Sequence, residues 1–333
     1  MTHFKMGVII DPIHSLTPYK DSTIALMLEA LNRSWEVYFF EMNALSIKAG
    51  QLEANGERLL SIDTSLLIPD VKQCDTDWYK SQPIACPLAS LDVVLMRKDP
   101  PYTMSYHFTT QMLSMLANQG TLVSNAPRAL REYNEKLFAL EFPDCIAPTL
   151  VGSKLGLIQQ FAKNHGDIVL KPLDAMGGQG IFKIDSRRTN LPVAVELLTQ
   201  GGQLPIMAQK FLPEISAGDK RVLMINGEPI PYVLARVPQG EDIRGNLAAG
   251  GKGIVQPLTD ADRKICDIIG PSLREKGIHL AGLDIIGEHV TEINITSPTC
   301  IREIASETGL NIAGQLLDTL AQEAQALKAH ELP

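Results

Sequence analysis

The stretch KPLDAMGGQGIFKI, Lys171 to Ile184, sets the tightest limit on how this chain can fold. Three glycines fall within four residues, a lysine precedes them, and an apolar strand-like run lies on each side. A Walker phosphate loop needs G-x-x-x-x-G-K-[ST] running into a helix. Here the lysine comes before the glycines and the loop runs into IFKI, a strand pattern. A dinucleotide fingerprint needs G-x-G-x-x-G opening a helix in the first βαβ unit. That spacing is absent, and the stretch lies mid-chain. A loop between two antiparallel strands, with Lys171 on the incoming one, fits a different clamp. The loop backbone, with Gly177 and Gly178 allowing close approach, folds its N–H groups over phosphates that Lys171 neutralises. A plain glycine-rich hairpin turn is the other reading of the same residues.

The surroundings of this loop follow from hydrophobic pattern. KMGVIIDPI is a short apolar run ended by Asp-Pro, DSTIALMLEALNRS has helical spacing behind Asp21 or Ser22 as N-cap, and EVYFFEM is a second strand. This βαβ opening predicts a parallel sheet with helices on its faces. LDVVLMRKDPP and TLVSNAP add strands, with SYHFTTQMLSMLANQG as a helix between them. Ligands bind outside the carboxyl ends of such strands, where Asp11 and Arg97-Lys98-Asp99 fall. After Pro127 the pattern changes. RALREYNEKLFALEF reads as an amphipathic helix, KLGLIQQFAKN as another, and DIVLKPL as a strand entering the glycine loop. PIMAQKFLPEI and KRVLMINGEPIPYVLARV are strand-rich, with Asn226-Gly227 as a hairpin turn. The helix DADRKICDIIGPSLREKG, one more hairpin and a C-terminal helix from Gly309 to His330 complete the chain. The compositionally odd segment is PQGEDIRGNLAAGGKG, Pro238 to Gly253, with five glycines.

Charge and cysteine usage exclude several classes. The net charge is −8 over 333 residues, with a pI near 5.4. A non-specific nucleic-acid or acidic-membrane surface needs a basic excess. The five cysteines are odd in number and include no C-x-x-C pair, which reads as a reducing compartment. MTHFKMGVIID lacks a signal-peptide pattern, and no apolar run approaches 18 residues. The expected setting is the cytoplasm, with no nucleic-acid or membrane partner.

A second motif bears on the first. HLAGLDIIGEHVTEINITSP, His279 to Pro298, reads as two strands joined by Gly287-Glu288-His289. With a three-residue loop Ile286 faces Val290, Asp284 faces Glu292, and Gly282 faces Asn294. Residues i and i+2 share a strand face, so Asp284, Glu292 and Asn294 gather among apolar neighbours. Such carboxylates repel unless a cation sits between them. An all-oxygen set suits Mg²⁺ or Mn²⁺ held together with substrate phosphates. The alternative is the solvent face of an edge hairpin. A phosphate clamp beside a divalent cation implies ATP chemistry.

The order Asn134-Glu135-Lys136, Lys171-Pro172 with DAMGGQG, Gln209 to Leu212, then Asp284, Glu292 and Asn294 resembles an ATP-grasp ligase. MRKDPP, GDKRVL, RGNLAAGGKG, GLDIIG and TEINITSPTCIREI resemble, in sequence and order, the bacterial glutathione synthetases. The likeness runs over nearly the whole chain, with Ala49 to Ser81 and the C-terminal tail divergent. It implies an α/β fold: a Rossmann-like parallel-sheet domain (residues 1–125), then an ATP-grasp fold of two α+β subdomains clamping ATP. These would be a central lid (126–205) and a catalytic C-terminal part (206–333).

By the same resemblance Lys136 and Lys171 contact ATP phosphates. Gln209, Lys210, Phe211 and Leu212 line the adenine pocket, Asp219 approaches the ribose, and Asp284, Glu292 and Asn294 bind Mg²⁺. Read from its own neighbourhood, Lys136 would be a solvated helix residue. The implied reaction joins γ-glutamylcysteine to glycine, with ATP giving ADP and phosphate through an acyl phosphate. Arg221, Arg236 and Arg244 are the candidates beside the phosphoryl and carboxylate groups. Arg97 would pair with a substrate carboxylate, or else structurally with Asp99; Ser297 and Thr299 would bond the peptide backbone. Cys300 reads as a packed thiol. Pro238 to Gly253 would be a lid that excludes water, or else a linker. The family also implies a homo-oligomer, dimer or tetramer. Two rival readings keep parts of this: another carboxylate–amine ligase, against which RKDPP and NITSPTC argue, and an ATP-binding regulatory module, which should have lost its metal ligands or arginines.

Overall fold

The computed structural model describes residues 4–68, 77–240, 244–245, 247 and 250–330. Cys74 and, within the glycine-rich segment, residues 241–243, 246, 248 and 249 lie outside the described residues, as does residue 69–76 of the divergent stretch.

The opening run forms β1 (Lys5–Ile10), and α1 (Ser22–Asn32) returns the chain to β2 (Glu36–Glu41). Asp21 is the N-cap: its carboxylate accepts the N–H groups of Thr23 at 2.7 Å and Ile24 at 3.0 Å. β3 (Leu45–Lys48), β4 (Gln51–Ile62), β5 (Tyr79–Pro87), β6 (Val93–Met96), α2 (Met104–Ala117) and β7 (Leu122–Ser124) complete a seven-stranded sheet. Its centre, β2-β1-β6-β7, is parallel. The antiparallel pair β4–β5 extends one side, an addition that the sequence reading did not contain.

α3 (Pro127–Glu132) is shorter than the helix expected over RALREYNEKLFALEF. Asn134 ends it. Its Oδ1 accepts the N–H groups of Lys136 at 3.0 Å and Leu137 at 3.1 Å, a local competition that favours a turn over a helix. Lys136 therefore sits in a buried turn, 3% exposed, and not on a solvated helix face.

β8 (Thr149–Gly152), α4 (Leu155–His165), β9 (Ile168–Pro172), β10 (Phe182–Ile184), α5 (Leu191–Leu198) and β11 (Ile206–Lys210) form a four-stranded sheet ordered β10-β9-β11-β8. The expected division at residue 206 cuts off β11, which pairs with both β8 and β9. β12 (Asp219–Ile225), β13 (Glu228–Val237), β14 (Lys252–Pro257), α6 (Asp260–Glu275), β15 (Leu280–Ile286) and β16 (His289–Asn294) build a five-stranded sheet backed by α6. α7 (Ile301–Thr308) and α8 (Ile312–His330) close the chain. None of the described helices is long and apolar enough to cross a membrane.

The first and last sheets share two continuous cores, whereas the middle sheet packs its own around Ile158, Leu170, Val195 and Ala208. A buried amide fastens the shared body. Asn125 Nδ2 donates to the carbonyls of Leu280 (2.8 Å) and Ile295 (2.6 Å), and its Oδ1 accepts the N–H groups of His279 (2.8 Å) and Leu280 (3.0 Å). All of its donors and acceptors are thereby used across the two sheets.

Candidate active site

Two walls face each other across a cleft, and strand periodicity decides what each presents. On the middle sheet Ile168 and Leu170 turn to the core, so Val169 and Lys171 turn to the cleft. Lys171 lies opposite Met207, and Val169 opposite Gln209. Lys171 is 7% exposed, and its Nζ donates to Gln209 Oε1 at 3.1 Å. Burial pushes its pKa down. One neutral acceptor leaves most of the donor capacity of an ammonium unused.

The expected loop follows between antiparallel β9 and β10. Gly177, Gly178 and Gly180 have φ of 63°, 81° and 67°, in the left-handed region that suits glycine. At Gly180 an added Cβ would also lie 2.8 Å from Pro172 Cγ. Loop carbonyls are held from outside the middle sheet. Asn134 Nδ2 donates to Leu173 O at 2.8 Å, Lys136 Nζ to Ala175 O at 2.8 Å, and Arg244 Nη1 reaches Gly178 O at 3.5 Å. Lys136 also pairs with Glu135 at 2.6 Å and Glu292 at 3.6 Å. Burial works against its charge, but Glu292 and Glu135 outweigh that and raise its pKa.

The opposite wall is a buried ionic network on one face of the last sheet. Arg221 Nε donates to Asp284 Oδ1 at 2.5 Å and its Nη2 to Asp284 Oδ2 at 2.9 Å. Arg236 Nη2 bridges Asp219 Oδ2 at 2.5 Å and Asp284 Oδ2 at 2.9 Å. Burial pushes Asp284 up, yet the two guanidiniums hold it down to about 2. Burial, with the charges of Asp284 and Glu292 beside it, raises Asp219 to about 6 despite Arg236 and Arg221. The Asp219 Oδ1 is buried without a hydrogen-bond partner among the described residues. Gly282 makes room for this network: a Cβ there would lie 2.8 Å from Arg221 Cδ.

Asp284 faces Glu292 and Gly282 faces Asn294. The loop differs from the expected one. Ile286 pairs with His289 and Ile285 with Val290, and a bulge at Thr291 restores the register before Glu292. Asn294 Nδ2 donates to Asp284 Oδ2 at 3.3 Å, which leaves its amide oxygen for another partner. Two carboxylates and an amide oxygen fit a hard divalent cation. No group of three or more His, Cys, Asp or Glu suited to a metal occurs among the described residues, so phosphates and water would supply the other ligands.

The cleft has two compartments. One, of about 790 Å³, is lined by the glycine loop, Lys136, Lys171, Gln209 to Leu212, Asp219, Arg244 and Gly245. The Leu212 N–H makes no hydrogen bond among the described residues. The other, of about 980 Å³, is lined by Asp99, Arg221, Arg236, Asn294, Ser297, Thr299 and Cys300. Met176, Gly177, Asp284 and Glu292 line both, so the carboxylates stand at the junction.

Arg97 lines neither compartment. Its Nε donates to Thr23 Oγ1 at 3.1 Å and its Nη2 to Pro298 O at 3.0 Å, so it orients the Pro298 loop. Asp99 donates its N–H to Asp11 at 2.9 Å and accepts from Ser297. Cys300 is buried with φ of 88°, and burial pushes its thiol up, which suits a packed, protonated thiol. Sequence reasoning gave no role to Asn134, Met176 or Gly245. At Gly245 a Cβ would lie 2.3 Å from Arg236 O and 3.1 Å from Asp219 Cβ, so this residue of the glycine-rich segment packs directly on the network.

Residues 4–131 match the prokaryotic glutathione synthetase N-terminal domain, and residues 135–309 its ATP-grasp domain. A glutathione synthetase of Pseudomonas syringae pv. tomato is 47% identical over 325 residues, covering 97% of this chain and 99% of that one. One from Escherichia coli (strain K12) is 46% identical over 324 residues, covering 96% and 99%. Among solved structures, the D-cycloserine synthetase DcsG has a TM-score of 0.65 at 12% identity, covering 95% of this chain and 99% of that one. The ATP-grasp ligase PsnB with its minimal precursor has a TM-score of 0.62 at 18% identity, covering 97% and 99%. Matched in both domains and nearly end to end, this chain belongs to the prokaryotic glutathione synthetase family.

Proposed function

We propose that the cleft joins γ-L-glutamyl-L-cysteine to glycine, forming glutathione with release of ADP and phosphate. The chain is an ATP-dependent ligase that forms a C–N bond. The observation that carries the site assignment is the shared lining of the two compartments: the carboxylates stand where a nucleotide on one side would meet a peptide on the other.

In this reading Lys171 and Lys136 bind the phosphates, which the glycine loop covers. Gln209, Lys210, Phe211 and Leu212 hold the base, with the free Leu212 N–H as a donor. The unpartnered Asp219 Oδ1 accepts a ribose hydroxyl. Asp284, Glu292 and Asn294 would hold Mg²⁺ or Mn²⁺, which neutralises phosphate charge when bound. Arg221 and Arg236 fix Asp284 and present their remaining N–H groups to the acceptor compartment, where the γ-phosphate passes to the cysteinyl carboxylate. Arg244, already against the glycine loop, adds positive charge over the phosphates. The glycine amine then attacks the acyl phosphate and displaces phosphate. Ser297 and Thr299 line the peptide's path, and Arg97 acts on it through the Pro298 carbonyl. Positioning and charge stabilisation carry such a transfer. The segment Pro238 to Gly253 serves as the water-excluding lid, with Gly245 as its docking point. The family resemblance further supports a cytoplasmic homo-oligomer.

ADP release from purified protein with Mg²⁺ and ATP tests this reading, with γ-glutamylcysteine and glycine added singly and together. Strong turnover only with both, matched by tripeptide, is the expected result. A folded, ATP-binding protein that turns over with neither would move the substrate assignment to another carboxylate–amine pair.

A further inference from the structure

Closing the peptide bond needs a base. A free amino acid carries an ammonium at neutral pH, and an ammonium has no lone pair with which to attack an acyl phosphate. A proton must leave the nitrogen where the bond forms, in the acceptor compartment. Among the described residues no histidine lines that compartment, and its carboxylates are Asp99, Glu135, Asp284 and Glu292. Three of these are held by cations. Arg221 and Arg236 close on Asp284, and Lys136 pairs with Glu135 and Glu292. In the proposed function Asp284 and Glu292 are also given to a divalent cation. Asp99 forms no ion pair among the described residues.

The backbone around Asp99 is nonetheless fixed. It follows β6, at the carboxyl end of a parallel strand, where ligands of such sheets bind. Its N–H donates to Asp11 Oδ2 at 2.9 Å. Lys98 Nζ donates to its carbonyl at 2.8 Å and pairs with Asp11 Oδ1 at 2.7 Å. Asp11 thus ties the end of β1 to the segment that carries Asp99. The Asp99 carboxylate accepts from Ser297, and one hydroxyl leaves lone pairs free for a substrate N–H. Burial pushes this carboxyl up. Asp21 and Asp11 act in the same direction, against the Ser297 hydroxyl and Arg97. A carboxylate that binds protons more readily, with no cation on it, is a better base than the three that are paired.

We propose that Asp99 is the general base for the attacking amine. Its carboxylate takes a proton from the glycine ammonium, and the freed lone pair forms the C–N bond at the acyl carbon. The C–O bond to phosphate then breaks, and its electron pair leaves on phosphate. Of the two protons that the nitrogen loses, one passes through Asp99 to solvent and the other leaves as part of HPO₄²⁻. This rests on the ligase reading above, and it adds a catalytic residue to the second step alone. Phosphoryl transfer to the cysteinyl carboxylate moves no N–H proton and does not need Asp99.

Asp99→Asn and hydroxylamine separate the two steps. Hydroxylamine is largely uncharged at neutral pH, so it traps an acyl phosphate as the hydroxamate without a base. With ATP, Mg²⁺ and γ-glutamylcysteine, D99N should make tripeptide from glycine about 100-fold more slowly than the wild type, within the range of a general base. Its hydroxamate formation, and its KM for ATP and for γ-glutamylcysteine, should stay within about threefold. D99E keeps a carboxylate but moves it. It should lower glycine turnover more than hydroxamate formation, and less than D99N does. Undiminished glycine turnover in D99N would overturn the proposal. So would an equal fall of both products in either variant, or a raised peptide KM with kcat unchanged, the marks of a structural or a binding role. A wild type that forms neither tripeptide nor hydroxamate would instead overturn the ligase reading, and the base with it.

Discussion

The two walls of the cleft handle buried charge in opposite ways. On the last sheet every buried cation has a carboxylate: Arg221 and Arg236 close on Asp284 and Asp219. On the middle sheet the buried Lys171 has, among the described residues, only the Gln209 amide as a hydrogen-bond partner. The scaffolds differ to match. The ionic wall belongs to a body whose cores run continuously into the first sheet, while the cationic wall rides on a sheet with its own small core. A neutralised, rigid wall can fix carboxylates at a transfer point. An open positive charge on a separately packed sheet is left for a ligand to neutralise, which is the part the proposed function gives to ATP phosphates. The difference teaches that charge neutralised within the protein and charge left for a ligand lie on opposite sides of one cleft.

Removing one member from each wall should separate the two. Asp284→Ala leaves two buried guanidiniums short of their partner and should cost about 3–5 kcal/mol of stability, read by denaturant unfolding, with turnover lost. Lys171→Met should do the reverse. Nucleotide affinity falls roughly 10- to 100-fold, while Tm holds or rises because an incompletely paired buried cation is gone. Unchanged affinity in a titration would remove Lys171 from the site.

Smaller effects test finer points of the same contrast. Gly282→Ala puts a methyl against the Arg221 side chain and should cost roughly 1–3 kcal/mol, with kcat falling as the guanidinium leaves Asp284. A melt and a single-substrate kinetic series would show both. The smallest effect concerns Asp219, held at about 6 by burial. A ribose hydroxyl favours its ionised form, so nucleotide affinity should be full above pH 6 and fall about fivefold below it. Asp219→Asn should flatten that profile. For the ligand-free protein the sign reverses. A raised carboxyl binds its proton more tightly when folded, so its contribution to stability grows as pH falls from about 6 toward 4.

Much of this site is legible in the sequence because strands have period two. Asp284 and Glu292 come out opposite each other although the assumed hairpin loop is wrong, because the bulge at Thr291 offsets the shorter turn. Lys171 and the glycines are readable because the lysine's position relative to the loop excludes other phosphate motifs. Lys136 is not readable from pattern. Apolar spacing runs straight through a turn that the Asn134 side chain creates, and one hydrogen-bonding residue defeats a helical period. The β4–β5 pair escapes because Pro83 and Pro87 argue against a strand and its burial alternates only in part. Gly245 and Gly282 carry no local signal, since their role is the space they leave for a side chain or backbone distant in the chain. Asn125 likewise looks like a turn residue until the two sheets it joins are seen together.

The most direct test of the two-walled cleft is the fate of oxygen. γ-Glutamylcysteine labelled with ¹⁸O in its cysteinyl carboxylate is turned over with ATP, Mg²⁺ and glycine, and the released phosphate is examined by mass spectrometry. Transfer of one labelled oxygen to phosphate per tripeptide is expected if the γ-phosphate crosses from the lysine wall to the carboxylate held at the arginine–aspartate wall. Tripeptide formed with unlabelled phosphate would contradict that account.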